Sequence, residues 1–430
     1  MSMFRSRRRL PIILAVVTAL LLMATLAGCG TSSSSTSSSG TSSAPSQITV
    51  GVLYAKSGSF ASSSLPEYQG LQFWANQVNA QGGVLVKAYN KRIPVKIIGL
   101  NDDSDAATAG TLYNQLITQD KVNILVADFG SVLTAPAVTV AQEHKVVLFD
   151  PTGTGASFFT ASNPYIVLTS LPSSGWWPTS LANFLLDRKI DKIAVVYGEN
   201  DFDSSQAETL QKMLAGGGVK PVYYQGVPTS TSNYAVILRN IAAQKPDAVI
   251  EFGYNTNDIA FLQGIRSGGY KFNMVFTVFP GQQYALIEKS VGVPGLEYTY
   301  SYPTPPLFGY NQVNYGLGMN AFVQAFAKAD NVKPADVNFL DIAGYNCGLV
   351  IQKALENAPS LKQEDLRAAV AGFSDKLDTL DGHFKIDSTG AQLGETLPVC
   401  QFQPAAGGTL KPVIVYPPSL AQGKAIYPAP

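Results

Sequence analysis

Histidine is nearly absent from this chain, with two in 430 residues, and cysteine is limited to three. So few imidazoles leave little for general acid and base chemistry. So few thiols exclude a small scaffold stapled by disulfides. The patterns GxxxxGK[ST], HExxH, GxSxG and CxxC are all missing, which removes phosphate-cradling loops, zinc proteases, hydrolase elbows and dithiol redox centres. Excess charge is missing too. The formal net charge is zero, and once Arg5, Arg7, Arg8 and Arg9 are set aside the remaining 26 bases face 30 acids, so nucleic acid is not an expected partner. An enzyme is not expected, and neither a cofactor nor a metal is implied.

What is present begins with a leader. Four arginines precede an apolar run from Leu10 to Gly28 that ends at Leu26-Ala27-Gly28-Cys29, the shape of a secretory signal. An uncleaved membrane anchor is the alternative, since roughly 18 apolar residues nearly span a bilayer, but small residues before a cysteine fit cleavage better. The last four residues resemble the bacterial lipobox, which implies lipid attachment at Cys29 and removal of residues 1–28. Residues 29–46 are almost wholly Ser, Thr and Gly, a composition that forms a flexible tether with a mean reach of roughly 20 to 25 Å.

After Gln47, apolar strands alternate with amphipathic helices. Strands are expected at residues 48–55, 93–99, 122–127 and 146–149. Between them lie helices carrying Leu71, Trp74, Ala75 and Val78, then Ala109, Leu112, Tyr113 and Leu116, at helical spacing. The pattern restarts beyond Trp176-Trp177-Pro178 with strands at 193–197, 248–252 and 274–279. Such order predicts an α/β protein of two doubly wound parallel-sheet lobes, which a length of 430 residues favours over one core. Residues 296–315, with Pro303, Pro305 and Pro306, read as a crossover with a long loop. Helices are expected near 318–328 and 339–358, short strands near 384–386 and 398–403, and a Pro/Gly-rich surface strap over the last 25 residues.

Ligands of doubly wound sheets bind beyond the carboxyl ends of strands, at helix N-termini. Asp128-Phe129-Gly130-Ser131 and Asp150-Pro151-Thr152-Gly153-Thr154-Gly155 occupy such positions. Their hydroxyls and amides suit a carboxylate; the alternative is that Ser131 and Thr154 merely cap their own helices. Asp102-Asp103-Ser104-Asp105 reads as a solvated helix start rather than a cation site. His144 and His383 read as structural, with no catalytic partner nearby in sequence. Cys347 and Cys400 form the one candidate disulfide, two buried free thiols being the alternative.

The order and spacing of several segments resemble the leucine/isoleucine/valine-binding family of ABC importer receptors. They are Ser57-Gly58 with Gly70, Asn79 with Gly82-Gly83-Val84, Asp102-Asp103 with Asp105, and Ser131 with Thr134 and Pro136. Pro151 with Thr154, Asn163-Pro164-Tyr165, Pro246-Asp247-Ala248 and Gly253-Tyr254 continue the series. The resemblance spans roughly residues 48–403. It implies a type I periplasmic binding fold whose lobes are joined by three hinge crossovers, near Leu171, Leu296 and Leu380. The lobes would be 47–171 plus 297–380, and 172–296 plus 381–430. It further implies that Ser131, Thr152 or Gly153, and Thr154 hold a ligand carboxylate while Phe202 and Tyr254 cover the ligand.

Two departures shape the ligand. The acid that pairs with an amino-acid ammonium in the family falls on Val278 here, and no acid occurs between Arg266 and Glu288. An ammonium unpaired in a closed cleft is costly. The family's aromatic wall near the first strand falls on Ser63. The expected cargo is therefore a carboxylate, an amide or another neutral polar molecule, with branched-chain amino acids as the alternative. The expected partners are that small molecule, an ABC permease, and the membrane through the lipid anchor only, for a monomer held outside the cytoplasm. A sensor lipoprotein signalling to a membrane receptor is the rival reading.

Overall fold

The computed structural model describes residues 43–310 and 312–430; the expected leader, Cys29 and the tether through residue 42 lie outside the described residues. Sixteen strands follow in chain order. They are β1 (Ile48–Tyr54), the hairpin β2 (Val84–Val86) and β3 (Lys91–Ile93), β4 (Val95–Asn101), β5 (Ile124–Val126), β6 (Leu148–Asp150) and β7 (Ile166–Leu168). Then come β8 (Ile193–Gly198), β9 (Tyr223–Val227), β10 (Ala248–Phe252), β11 (Val275–Phe276), β12 (Tyr300–Ser301), the hairpin β13 (Leu377–Asp378) and β14 (His383–Phe384), β15 (Val399–Pro404) and β16 (Leu410–Tyr416). The helices are α1 (Ala61–Ala80), α2 (Ala106–Thr118), α3 (Gly130–His144), α4 (Thr179–Asp187), α5 (Asp201–Gly216) and α6 (Ala235–Ala243). They continue with α7 (Asn255–Ser267), α8 (Tyr284–Val291), α9 (Val293–Leu296), α10 (Met319–Asp330), α11 (Phe339–Asn357) and α12 (Gln363–Phe373).

The first lobe is a five-stranded sheet in the order β4-β1-β5-β6-β7, parallel throughout. Its side chains alternate between two cores with the period of a strand. Val50, Val52, Val126 and Phe149 face α1 and α11, while Leu53, Leu125 and Leu148 face α2 and α3. Helices α1 and α11 approach until backbone meets backbone. A Cβ on Gly70 would stand 2.0 Å from the Asp341 carbonyl oxygen, and one on Gly344 would stand 1.9 Å from that of Glu67. That close crossing fixes Glu67 behind the cleft described below.

The second lobe is a seven-stranded sheet in the order β16-β15-β12-β11-β10-β8-β9, with β15 and β16 antiparallel to their neighbours. Ile193, Val195 and Ile250 pack toward α4 and α5, whereas Ala194, Val196 and Val249 pack toward α6 and α7. Both lobes are the doubly wound arrangement that strand–helix alternation dictates.

Several details differ from the sequence expectation. The strands β7, β9 and β12 were not expected; β9 and β12 are poor in aliphatic residues, whereas β7 is a buried Ile-Val-Leu run only three residues long. Because β12 belongs to the second sheet, the chain leaves that lobe after Ser301 rather than near Leu296. It leaves the first lobe for the last time beyond Gly390, whose carbonyl accepts a bond from the Leu168 amide at 3.0 Å, rather than near Leu380. The last 25 residues are not wholly a strap, since Val413, Ile414 and Val415 are buried in the edge strand β16.

The candidate disulfide is overturned. Cys347 and Cys400 are both free and buried, Cys347 on α11 in the first-lobe core and Cys400 on β15 in the second-lobe core. The helix start at Asp102–Asp105 is solvated only in part. Asp105 caps α2 through the Thr108 amide at 2.7 Å, but Asp102 is fully buried beside Asp128. His144 sits in the last turn of α3 against Asn114. His383 does have partners nearby, with Nε2 at 2.8 Å from Asp375 and Nδ1 at 2.7 Å from Asp378, and these carboxylates raise its pKa.

Candidate ligand cleft

Two first-lobe loops follow the carboxyl ends of β5 and β6. In each, a buried aspartate folds the backbone. Asp128 Oδ1 accepts from the Phe129 amide at 2.6 Å and from Ser64 Oγ at 2.5 Å. Asp150 Oδ1 accepts from the Thr152 amide at 3.1 Å and the Gly153 amide at 2.6 Å. Gly153 packs so tightly that a Cβ there would lie 2.3 Å from Thr134 Oγ1. Thr152 Oγ1 ties the loops together, accepting from the Gly130 amide at 3.1 Å and donating to Glu67 at 2.5 Å.

Ser131 and Thr154 do not cap their own helices. Ser131 Oγ reaches sideways to the Gly155 amide at 2.9 Å, and Thr154 Oγ1 is buried with no partner among the described residues. A buried hydroxyl without a partner costs free energy unless something else bonds it.

The second lobe presents helix starts to the same space. Phe202 lies in the first turn of α5, Tyr254 caps α7, and Phe279 follows β11. Together with Phe129, Trp177 and Phe339 they wall a cavity of about 10 Å³, the room of roughly one water-sized sphere. Trp177–Phe202 and Phe129–Tyr254 meet edge to face, while Phe202 and Tyr254 are tilted by 33°. Trp177 and Phe202 stand 5.0 Å apart, Phe202 and Tyr254 5.3 Å, and Phe129 and Tyr254 5.8 Å.

No Asp, Glu, Lys, Arg or His is among the residues lining this cavity. The acids stand one layer back. Burial pushes Asp150 up to about 7, and it raises Glu67 and Asp128 as well, the latter also through Asp102. Glu251 and Asp258 form a second buried pair in which burial again dominates, with Asp258 pushed up to about 7. Asp258 serves the wall indirectly, accepting from the Phe279 amide at 2.6 Å. Burial thus shifts these carboxyls toward the neutral form, and none of them lines the cavity itself.

The lobes touch across the cleft. The Ser131 amide donates to the Tyr254 hydroxyl at 3.0 Å, and the Phe339 amide donates to the Gln282 carbonyl at 3.1 Å. At the rim, Asn255 Nδ2 donates to Ser62 Oγ at 3.0 Å and Ser63 Oγ at 3.1 Å, and Gln283 Nε2 donates to the Ser62 carbonyl at 2.9 Å.

Of the residues singled out in the sequence, Thr152, Thr154, Phe202 and Tyr254 line the cavity. Ser131 and Gly153 stand behind it in the loops. Val278 is buried and turned away, and its neighbour Phe279 takes the wall position. Ser63 is a rim contact rather than a wall, and the aromatic from that loop is Phe60, whose ring lies 5.0 Å from Tyr254. Trp177, Gln282 and Phe339 were not foreseen. Their only sequence signal is position, since Trp177 falls at the first crossover and Phe339 opens a helix. Among the described residues no cluster of His, Cys, Asp or Glu could hold a metal ion.

Comparison with known proteins agrees with this architecture. The model of the family described as periplasmic binding protein matches residues 47–409. A Leu/Ile/Val/Thr-binding protein of Salmonella typhimurium is 24% identical over 225 residues, 52% of this chain and 60% of the relative, so the match spans less than two thirds of that protein. In the solved structures, a leucine-binding protein from Thermotoga maritima matches with a TM-score of 0.73 at 17% identity, covering 86% of this chain and 99% of the other. A solute-binding protein from R. palustris in complex with benzoate matches with a TM-score of 0.69 at 18% identity, covering 86% and 96%. The lobes are those of type I periplasmic binding proteins. With its model matched over residues 47–409, the chain belongs to the periplasmic binding protein family.

Proposed function

We propose that the chain is the solute-binding lipoprotein of an ABC importer, and that its cleft takes a monocarboxylate with an aromatic or branched apolar body and no ammonium group. The observation that carries this reading is the chemistry of the cavity wall. Six aromatic side chains surround it, no ionisable acid or base lines it, and the buried Thr154 hydroxyl has no partner among the described residues. Aromatic walls favour a ring or branched chain. The Thr154 hydroxyl and the helix start at Ser131 favour an anionic oxygen.

A zwitterionic amino acid would find no carboxylate for its ammonium. The relatives' names include leucine, isoleucine and valine, and one fold neighbour holds benzoate. Between these, the uncharged wall supports the second kind of cargo. Lobes that close only around a ligand would give a permease something to recognise.

Calorimetry with benzoate, 4-hydroxybenzoate, leucine, isoleucine and valine tests the reading. Saturable binding of an aromatic acid with none of the amino acids is expected, and tight binding of leucine with no aromatic acid would overturn it. The proposed export and tether rest on residues 1–29 of the sequence. A Cys29→Ser chain should leave the membrane fraction, and retention there would restore an uncleaved anchor.

A further inference from the structure

Beside the aromatic cavity lies a second and much larger one. It has a volume of about 540 Å³, within the range of small-molecule sites, and lies between the first turn of α8 and the segment leading into α11. Tyr284, Leu286, Leu307 and Val337 give it mainly apolar walls, with Lys289 and Asp336 on the solvent side. It is bordered by Ser62 and Gln283, members of the hydrogen-bonded rim between the lobes.

Gln282 lines both this compartment and the aromatic cavity. Its backbone is fixed on both sides, its amide donating to the Phe279 carbonyl at 2.9 Å and its carbonyl accepting from Phe339 at 3.1 Å. Its side chain is not. The residue is only 4% exposed, yet Nε2 makes no hydrogen bond among the described residues. A buried amide nitrogen left unbonded is costly, and such groups in native proteins mark a role. Because the residue borders both cavities, a molecule spanning them would bring an acceptor to this nitrogen.

We infer that the cleft has two compartments and takes an extended carboxylate. The acid and ring enter the aromatic cavity, which has to widen from its present volume of about 10 Å³ to admit them, a carbonyl in the middle of the molecule accepts from Gln282 Nε2, and an apolar tail lies along Leu286, Leu307 and Val337. Acylamino-substituted aromatic acids have this order of groups. The inference rests on the carboxylate reading above and adds a length and an internal acceptor to it.

Benzoate and 4-butanamidobenzoate are the probes, titrated by calorimetry into the intact protein, a Gln282→Leu variant and a Leu286→Trp variant. The longer acid should bind the natural protein at least tenfold more tightly than benzoate. Leu286→Trp, which intrudes on the second compartment from its wall, should reduce that advantage and leave benzoate affinity unchanged, showing that the variant is folded. Gln282→Leu should lower the ratio of the two affinities, costing the longer acid more than benzoate. Benzoate binding with no preference for the longer acid, or a preference untouched by Leu286→Trp, would overturn the two-compartment cleft alone. Binding of neither acid would overturn it together with the carboxylate reading.

Discussion

The Ser131 amide, at the start of α3, donates to the Tyr254 hydroxyl at 3.0 Å from the opposite lobe. That amide belongs to the helix terminus at which a ligand carboxylate is expected. The closed form therefore places a tyrosine hydroxyl where an anionic oxygen has to arrive, and the glycine before it lets the ring approach. A Cβ on Gly130, which has φ of 74°, would lie 3.0 Å from the Tyr254 ring. Ligand and tyrosine compete for one donor. Tyr254→Phe removes the competitor and keeps the ring, so carboxylate affinity should rise about two- to tenfold, the worth of one neutral hydrogen bond. Calorimetry with benzoate measures it, and a loss of affinity would mean that the hydroxyl binds the ligand instead.

Thr154 and Ser131 should respond differently to alanine. Thr154 Oγ1 bonds nothing among the described residues, so Thr154→Ala should weaken carboxylate binding by about 1 to 3 kcal/mol while leaving the melting temperature almost unchanged. Ser131 Oγ holds the Gly155 amide at 2.9 Å, so Ser131→Ala should lower both affinity and melting temperature. Equal thermal loss in the two variants would assign Thr154 a purely structural task.

Acid behind the wall makes stability depend on pH. Burial raises Asp150 from 3.8 to about 7 in the folded chain. Between those values the unfolded chain releases the proton while the folded chain keeps it, so stability falls as pH rises from about 4 to about 7 and levels off above. Asp258 and Asp381, each also pushed to about 7, act in the same direction. Asp150→Asn keeps the acceptor for Thr152 and Gly153 but cannot ionise. Urea unfolding at pH 5 and pH 8 should show a smaller drop for this variant than for the natural protein. An unchanged drop would show that Asp150 does not titrate in this window.

The sequence made the scaffold legible wherever strands carried β-branched runs, as in residues 48–54 and 248–252. The two loops after β5 and β6 were legible because position alone, beyond a parallel strand and before a helix, marks them. Beyond Phe202 and Tyr254, which the resemblance named, the aromatic wall was not. Phe129, Trp177, Phe279 and Phe339 come from separate segments of both lobes whose meeting depends on how the lobes close, and local periodicity carries no such information. Burial of charge was equally hidden. Asp102 reads as a solvated cap beside Asp103 and Asp105, but its carboxyl turns inward to Asp128.

Packing far from the cleft should reach the ligand through Glu67. Its carboxylate accepts from Thr152 Oγ1, and its carbonyl lies where a Cβ on Gly344 would stand only 1.9 Å away. Gly344→Ala must push α1 and α11 apart, an overpacking that costs about 1 to 3 kcal/mol. The displaced helix carries Glu67 with it, so the bond that positions Thr152 and the Gly130 amide loosens. Both melting temperature and carboxylate affinity should fall together. Ala354 lies in the same core on the same helix, away from this crossing. Ala354→Gly should lower the melting temperature alone, and if it lowers affinity as much as Gly344→Ala does, the effect belongs to general instability and not to Glu67.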